Sequence, residues 1–161
     1  MRHLNIGRYE TTSNRASGLT ALAASFLQHM TVLQHLVISW TYIGAEAVGV
    51  LAASLTHLKA LQHLDLHACR LFTKGFIAVI ASTQHLTALQ YLNLAYTTFE
   101  VDPLDAVPWA SLQHLTGLKH LDISCNYLHQ SASVLATYLP HLTALQYLGL
   151  RNNNFTVEGC S

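Results

Sequence analysis

Leu61-Gln62-His63-Leu64-Asp65-Leu66-His67-Ala68-Cys69-Arg70-Leu71 is the stretch that decides the fold. Its first half is apolar on alternate residues, the period of a short strand with one face buried. Near-copies recur along the chain as Leu33-Gln34-His35-Leu36-Val37-Ile38, Leu89-Gln90-Tyr91-Leu92-Asn93-Leu94, Leu118-Lys119-His120-Leu121-Asp122-Ile123 and Leu145-Gln146-Tyr147-Leu148-Gly149-Leu150. The leading leucines at 33, 61, 89, 118 and 145 are 28, 28, 29 and 27 residues apart. A degenerate copy opens the chain with Met1, Leu4 and Ile6. Between the copies the apolar spacing turns helical: Val48, Leu51, Leu55 and Leu58; Phe76, Ile77, Ile80 and Leu86; Val134, Leu135, Tyr138, Leu139 and Leu142. No single unit can bury its own leucines, but stacked neighbours bury them together.

This pattern resembles the leucine-rich repeat family, whose motif is LxxLxLxxN/CxL, and its length resembles the ribonuclease-inhibitor-like subclass. Leu61, Leu64, Leu66, Cys69 and Leu71 match fully, as do Leu118, Leu121, Ile123, Asn126 and Leu128, and Leu145, Leu148, Leu150, Asn153 and Phe155. The resemblance implies an α/β fold. It would be a curved right-handed solenoid of about five to six repeats, with a parallel sheet on the concave face and helices on the convex face. The whole chain, 1–161, reads as a single domain. In the Asn or Cys slot the side chain turns inward to satisfy backbone groups where the strand ends. Thr41 and Thr97 occupy that slot in two units, which predicts less regular turns there. Asp102-Pro103 looks like a helix start, and Pro108 before Trp109 predicts a broken or 3₁₀ element. The chain begins inside a strand motif and stops where a helix should start. This leads to the expectation of either a fragment of a longer solenoid or open ends covered by something else.

Composition narrows the function. Lys plus Arg number 8 and Asp plus Glu number 8, and this balance argues against a nucleic-acid binder. There is no run of 18 apolar residues and no secretory signal pattern, so neither membrane insertion nor classical export is expected. Cys69, Cys125 and Cys160 are widely spaced, form no CxxC pair and read as reduced thiols of a cytoplasmic protein.

Residues between the strand leucines point to the opposite face. They are His35, Val37, Ser39 and Trp40; His63, Asp65, His67 and Ala68; Tyr91, Asn93, Ala95 and Tyr96. The later strands add His120, Asp122, Ser124 and Cys125, then Tyr147, Gly149, Arg151 and Asn152. The first strand would add His3, Asn5 and Arg8. A surface of Trp, Tyr and His with a few charges has the composition of a protein-binding hot spot, with Trp40, Tyr91, Tyr96 and Tyr147 as anchors.

Histidines form two ladders: His3, His35, His63 and His120 on this face, with Tyr91 and Tyr147 in the same slot, and His29, His57, His85, His114 and His141 at a turn position where imidazoles can meet orphan carbonyls of helix ends. Protonation of both ladders toward pH 6 predicts pH sensitivity. His63, Asp65 and His67 share a strand face, but residues four apart on a strand lie about 13 Å apart, too far for one ion. Cys125 near His120 and Asp122 hints at a thiol nucleophile, without the enclosed pocket such chemistry needs.

The sequence therefore predicts a non-enzymatic scaffold with no cofactor and no metal. It would grip another protein, either an enzyme it inhibits or an effector. Two other readings remain: an adaptor such as a ubiquitin-ligase recruiting module, and a metal-dependent module using the His and Asp residues. The near-uniform repeats also resemble those of bacterial leucine-rich-repeat effectors, which implies the host cytoplasm as a destination.

Overall fold

The computed structural model describes residues 1–7, 26–98, 107–129 and 131–155. Strands and helices alternate along them. The strands are β1 (His3–Asn5), β2 (His35–Val37), β3 (His63–Asp65), β4 (Tyr91–Asn93), β5 (His120–Asp122) and β6 (Tyr147–Gly149). The helices are α1 (Ala45–Leu55), α2 (Phe72–Ser82) and α3 (Ser131–Tyr138), with 3₁₀ turns at Thr83–His85, Trp109–His114 and Leu139–His141. The strands form a single open parallel sheet in sequence order. Leu4, Leu36, Leu64, Leu92, Leu121 and Leu148 lie in register across it.

Alternation puts these leucines on the side that meets the helices. Leu36, Leu64, Leu92 and Leu121 join Leu51, Leu55, Phe76, Val79, Ile80 and Trp109 in one core. Each buried aliphatic side chain contributes about 1.5–3 kcal/mol of transfer free energy. Helices α1 and α2 approach closely at Gly75, where a Cβ would sit 2.6 Å from Val48 Cγ1. The predicted helical face needs one correction: Val134 points outward, 49 % exposed, and Leu135 is the buried residue of that turn. Pro108 does precede a 3₁₀ stretch rather than an α-helix. Asp102 and Pro103 lie outside the described residues.

The strand ends share one device. Trp40, Ala68, Tyr96, Cys125 and Asn152 all take left-handed φ values, between 55° and 59°. The first four stay tied to the segment after the next strand, as in Trp40 N–H to His67 O (2.8 Å) and Cys125 N–H to Arg151 O (2.8 Å). The turns at Thr41 and Thr97 are thus as regular as the rest, contrary to the sequence expectation. At Thr97 the hydroxyl donates to Leu94 O (2.7 Å), and Asn126 Oδ1 from the next strand accepts the Thr97 and Thr98 N–H groups at 2.9 and 3.0 Å. A neighbour supplies what the shorter side chain lacks. Asn126 Nδ2 also donates to Leu94 O and Ile123 O, and Cys69 Sγ donates to Ile38 O. No helix among the described residues is long and apolar enough to cross a membrane.

Candidate functional site

The sheet face turned away from the core carries three parallel rows. The first is a continuous aromatic stack across all six strands. His3, His35, His63, Tyr91, His120 and Tyr147 follow one another with ring centroids 4.1, 5.6, 4.0, 4.3 and 4.1 Å apart. The in-register parallel pairing produces this, because it aligns the residue just before each central leucine. Tyr91 has a ring against each of its faces and its hydroxyl accepts from Asn93 Nδ2 at 3.4 Å, which leaves mainly the ring edge to meet a partner. Tyr147, at the end of the stack, is 47 % exposed.

Burial within the stack sets its protonation. His35 is held below the ordinary imidazole value by burial and by nearby His3. Burial also lowers His63 and His120, against the opposing pull of Asp65 on His63 and of Asp122 and Asp65 on His120. Burial raises the Tyr91 hydroxyl. The stack therefore resists charging, and the positive charge expected toward pH 6 is pushed to lower pH at these three histidines.

The second row is Asn5, Val37, Asp65, Asn93, Asp122 and Gly149. Its polar members have a structural duty that strand alternation does not reveal. Asp65 Oδ1, Asn93 Oδ1 and Asp122 Oδ1 accept the N–H of His67, Ala95 and Ser124, at 2.9, 3.1 and 2.9 Å. Asn5 does the same for Gly7. A short polar side chain bonding two residues on is an Asx turn, and here it starts the bends after β1, β3, β4 and β5.

The third row lies on the left-handed turns. Strict alternation would send Trp40 and Tyr96 into the leucine side, because Ile38 and Leu94 already point there. The positive φ turns them outward instead. Trp40 packs edge-on against His67 at 5.3 Å, and His67 against Tyr96 at 5.5 Å. Trp40 remains 50 % and Tyr96 37 % exposed. Arg151 is exposed beyond them.

Ser124 corrects the sequence reading. It is buried, 1 % exposed, and offers no surface to a partner. Ser39 and Val37 are half-covered. Cys125 is buried too, not a surface thiol. Its neighbours are the Tyr96 hydroxyl and Asn152 Nδ2, at 3.5 Å from Sγ, and not His120. Tyr96, Cys125, Tyr127, Asn152 and Asn154 line an open cleft of about 380 Å³. The sequence reading missed Tyr127 and Asn154, whose left-handed backbone lies just past the Asn126 and Asn153 slots. Arg8 lies outside the described residues, and so does Cys160.

In the second histidine ladder, His141 Nδ1 lies 3.3 Å from Tyr138 O, as a helix-end role requires. His29 and His114 instead turn to the adjacent Gln28 and Gln113. Among the described residues no three His, Cys, Asp or Glu side chains are placed to hold one metal ion. No protein-family model matches the chain, and no curated protein matches it significantly.

Proposed function

We propose that this chain is a non-enzymatic binding scaffold of the leucine-rich-repeat type, a curved solenoid whose concave sheet face holds a partner protein. The observation that carries this reading is the exposed Trp40–His67–Tyr96 cluster beside a six-ring stack, on the sheet face opposite the core. Large aromatic side chains held by a rigid sheet lose little entropy on binding and so make effective anchors. Trp40, Tyr96, Tyr147 and Arg151 supply the accessible contacts, with His67, Asp65 and Asp122 between them. Covering the active site of a partner enzyme is the concrete form this takes, by analogy of fold. Affinity capture from cell extract, with wild type beside the Trp40→Ala/Tyr96→Ala variant and mass spectrometry as readout, tests it. A protein retained by the parent and lost by the folded variant is expected. Identical captures from both would remove this face as the binding surface.

A further inference from the structure

The row of left-handed turns beyond the strands alternates large and small side chains: Trp40, Ala68, Tyr96, Cys125 and Asn152. Backbone hydrogen bonds continue across it from repeat to repeat, as in Ala68 N–H to Ala95 O and Tyr96 N–H to Ser124 O, so its members keep the spacing of paired strands. Two depressions result, and Tyr96 is a wall of both. In the first, the partly covered His67 ring lies between the more exposed rings of Trp40 and Tyr96. The second is the cleft of about 380 Å³, which exposed Tyr96 and Tyr127 line together with Asn152, Asn154 and the buried Cys125. Ala68 follows β3 and Cys125 follows β5, so the two low points lie two strands apart, about 9.6 Å. One turn of a polyproline II helix is about 9.3 Å long and holds three residues.

The chemistry of the lining matches as well as the spacing. The cleft is walled by phenol rings and rimmed by two carboxamides, all neutral groups that can donate hydrogen bonds. The Cys125 thiol holds the Tyr96 hydroxyl above its ordinary value, and the nearby Arg151 and Asp122 act on it in opposite directions, so neither sign of charge dominates there. A polyproline II segment makes no internal hydrogen bonds, so its carbonyls are open to such donors, and its proline rings pack in aromatic-lined grooves. It is also extended before it binds, so it loses little entropy in shallow pockets.

We infer that the partner presents a proline-rich segment in the polyproline II conformation, running across the strands along this row. One proline enters the cleft between Tyr96 and Tyr127, and another, three residues away, covers His67 between Trp40 and Tyr96. This rests on the reading of the face as a protein-binding surface and names the class of segment it holds.

The test uses the whole chain with an oligoproline peptide about three turns long, a glycine–serine peptide of equal length, and a soluble glucan oligosaccharide. Binding is followed by amide chemical-shift mapping and by titration. The comparison is with Tyr127→Asn, because Asn152 and Asn154 already hold the same left-handed backbone. The expected result is that oligoproline shifts the amides of Trp40, Tyr96, Cys125 and Tyr127, binds at least about tenfold tighter than the glycine–serine peptide, and loses about tenfold in the variant. Equal affinity for the two peptides, shifts outside this row, or no binding overturns the proposal. Shifts of the same amides by the oligosaccharide alone assign the cleft to a glycan and overturn it too. Unchanged oligoproline affinity in a Tyr127→Asn variant with a parent-like spectrum also overturns it. The capture with Trp40→Ala/Tyr96→Ala judges the surface reading separately, because it requires no proline in the partner.

Discussion

Tyr91 lies face to face with His63, ring centroids 4.0 Å apart and planes inclined by 7°. The pair sits mid-stack, so charging His63 puts a cation among closely packed rings and near His35 and His120, whose charges oppose it. Burial is the larger cause of its lowered pKa, with the neighbouring histidines adding to it.

Stability should therefore fall with acid. His35, His63 and His120 bind a proton less readily folded than unfolded. Below the ordinary value of 6.5 the unfolded chain takes up more protons. The stabilisation is complete above that pH and is lost as pH falls through the lower folded-state values. Urea unfolding across this range should show it. Imidazole proton resonances of the three residues should titrate below 6.5, and midpoints at or above it would contradict the burial argument.

Asn126→Ala should cost about 3–5 kcal/mol in unfolding free energy. It strands the buried Thr97 and Thr98 N–H groups and the Leu94 and Ile123 carbonyls together. Asn126→Cys should be milder, since Cys69 shows that a thiol can serve one carbonyl from the same slot. Equal losses for the two variants in denaturant melts would show that a thiol in this slot replaces none of the amide's hydrogen bonds.

Gly149 lies beneath the Asp122 carboxylate, and a Cβ there would be 2.6 Å from Asp122 Cγ. Gly149→Ala should destabilise by about 1–3 kcal/mol through this overlap. Asp122→Gly in the same chain should recover part of the loss. A double-mutant cycle measures the coupling, and strict additivity would place the strain elsewhere.

Cys69 should resist alkylation in the folded chain. Its thiol is buried, donates to Ile38 O at 2.7 Å, and is pushed up to about 12 by burial. Mass-resolved iodoacetamide labelling should modify it only as fast as the chain opens, with a rate that rises in denaturant. Prompt labelling in native buffer would mean that the slot opens locally.

Much of the fold was legible because a period of two followed by helical spacing leaves few ways to bury leucine. Leu61, Leu64 and Leu66 announced a strand with one buried face, and the parallel register of Leu36, Leu64, Leu92 and Leu121 followed from equal spacing. The site was only partly legible. Alternation assigned Ser124 to the surface, yet it is buried once the strands have paired. It could not explain why Trp40 and Tyr96 face outward, because that depends on a backbone dihedral after the strand. Tyr127 and Asn154 were missed for the same reason.

The sequence by itself determined which strand leucines are core, that the alternate strand residues share the opposite face, and that His3, His35, His63, Tyr91, His120 and Tyr147 occupy equivalent positions. Those properties depend on local period and spacing. Only the tertiary structure decided that these rings stack, that Asn126 completes the turn of the preceding strand, and that the Asp122 carboxylate lies over Gly149 of the next strand. Each of these joins residues about one strand apart in space but roughly 28 apart in the chain, and such contacts exist only after neighbouring strands have paired.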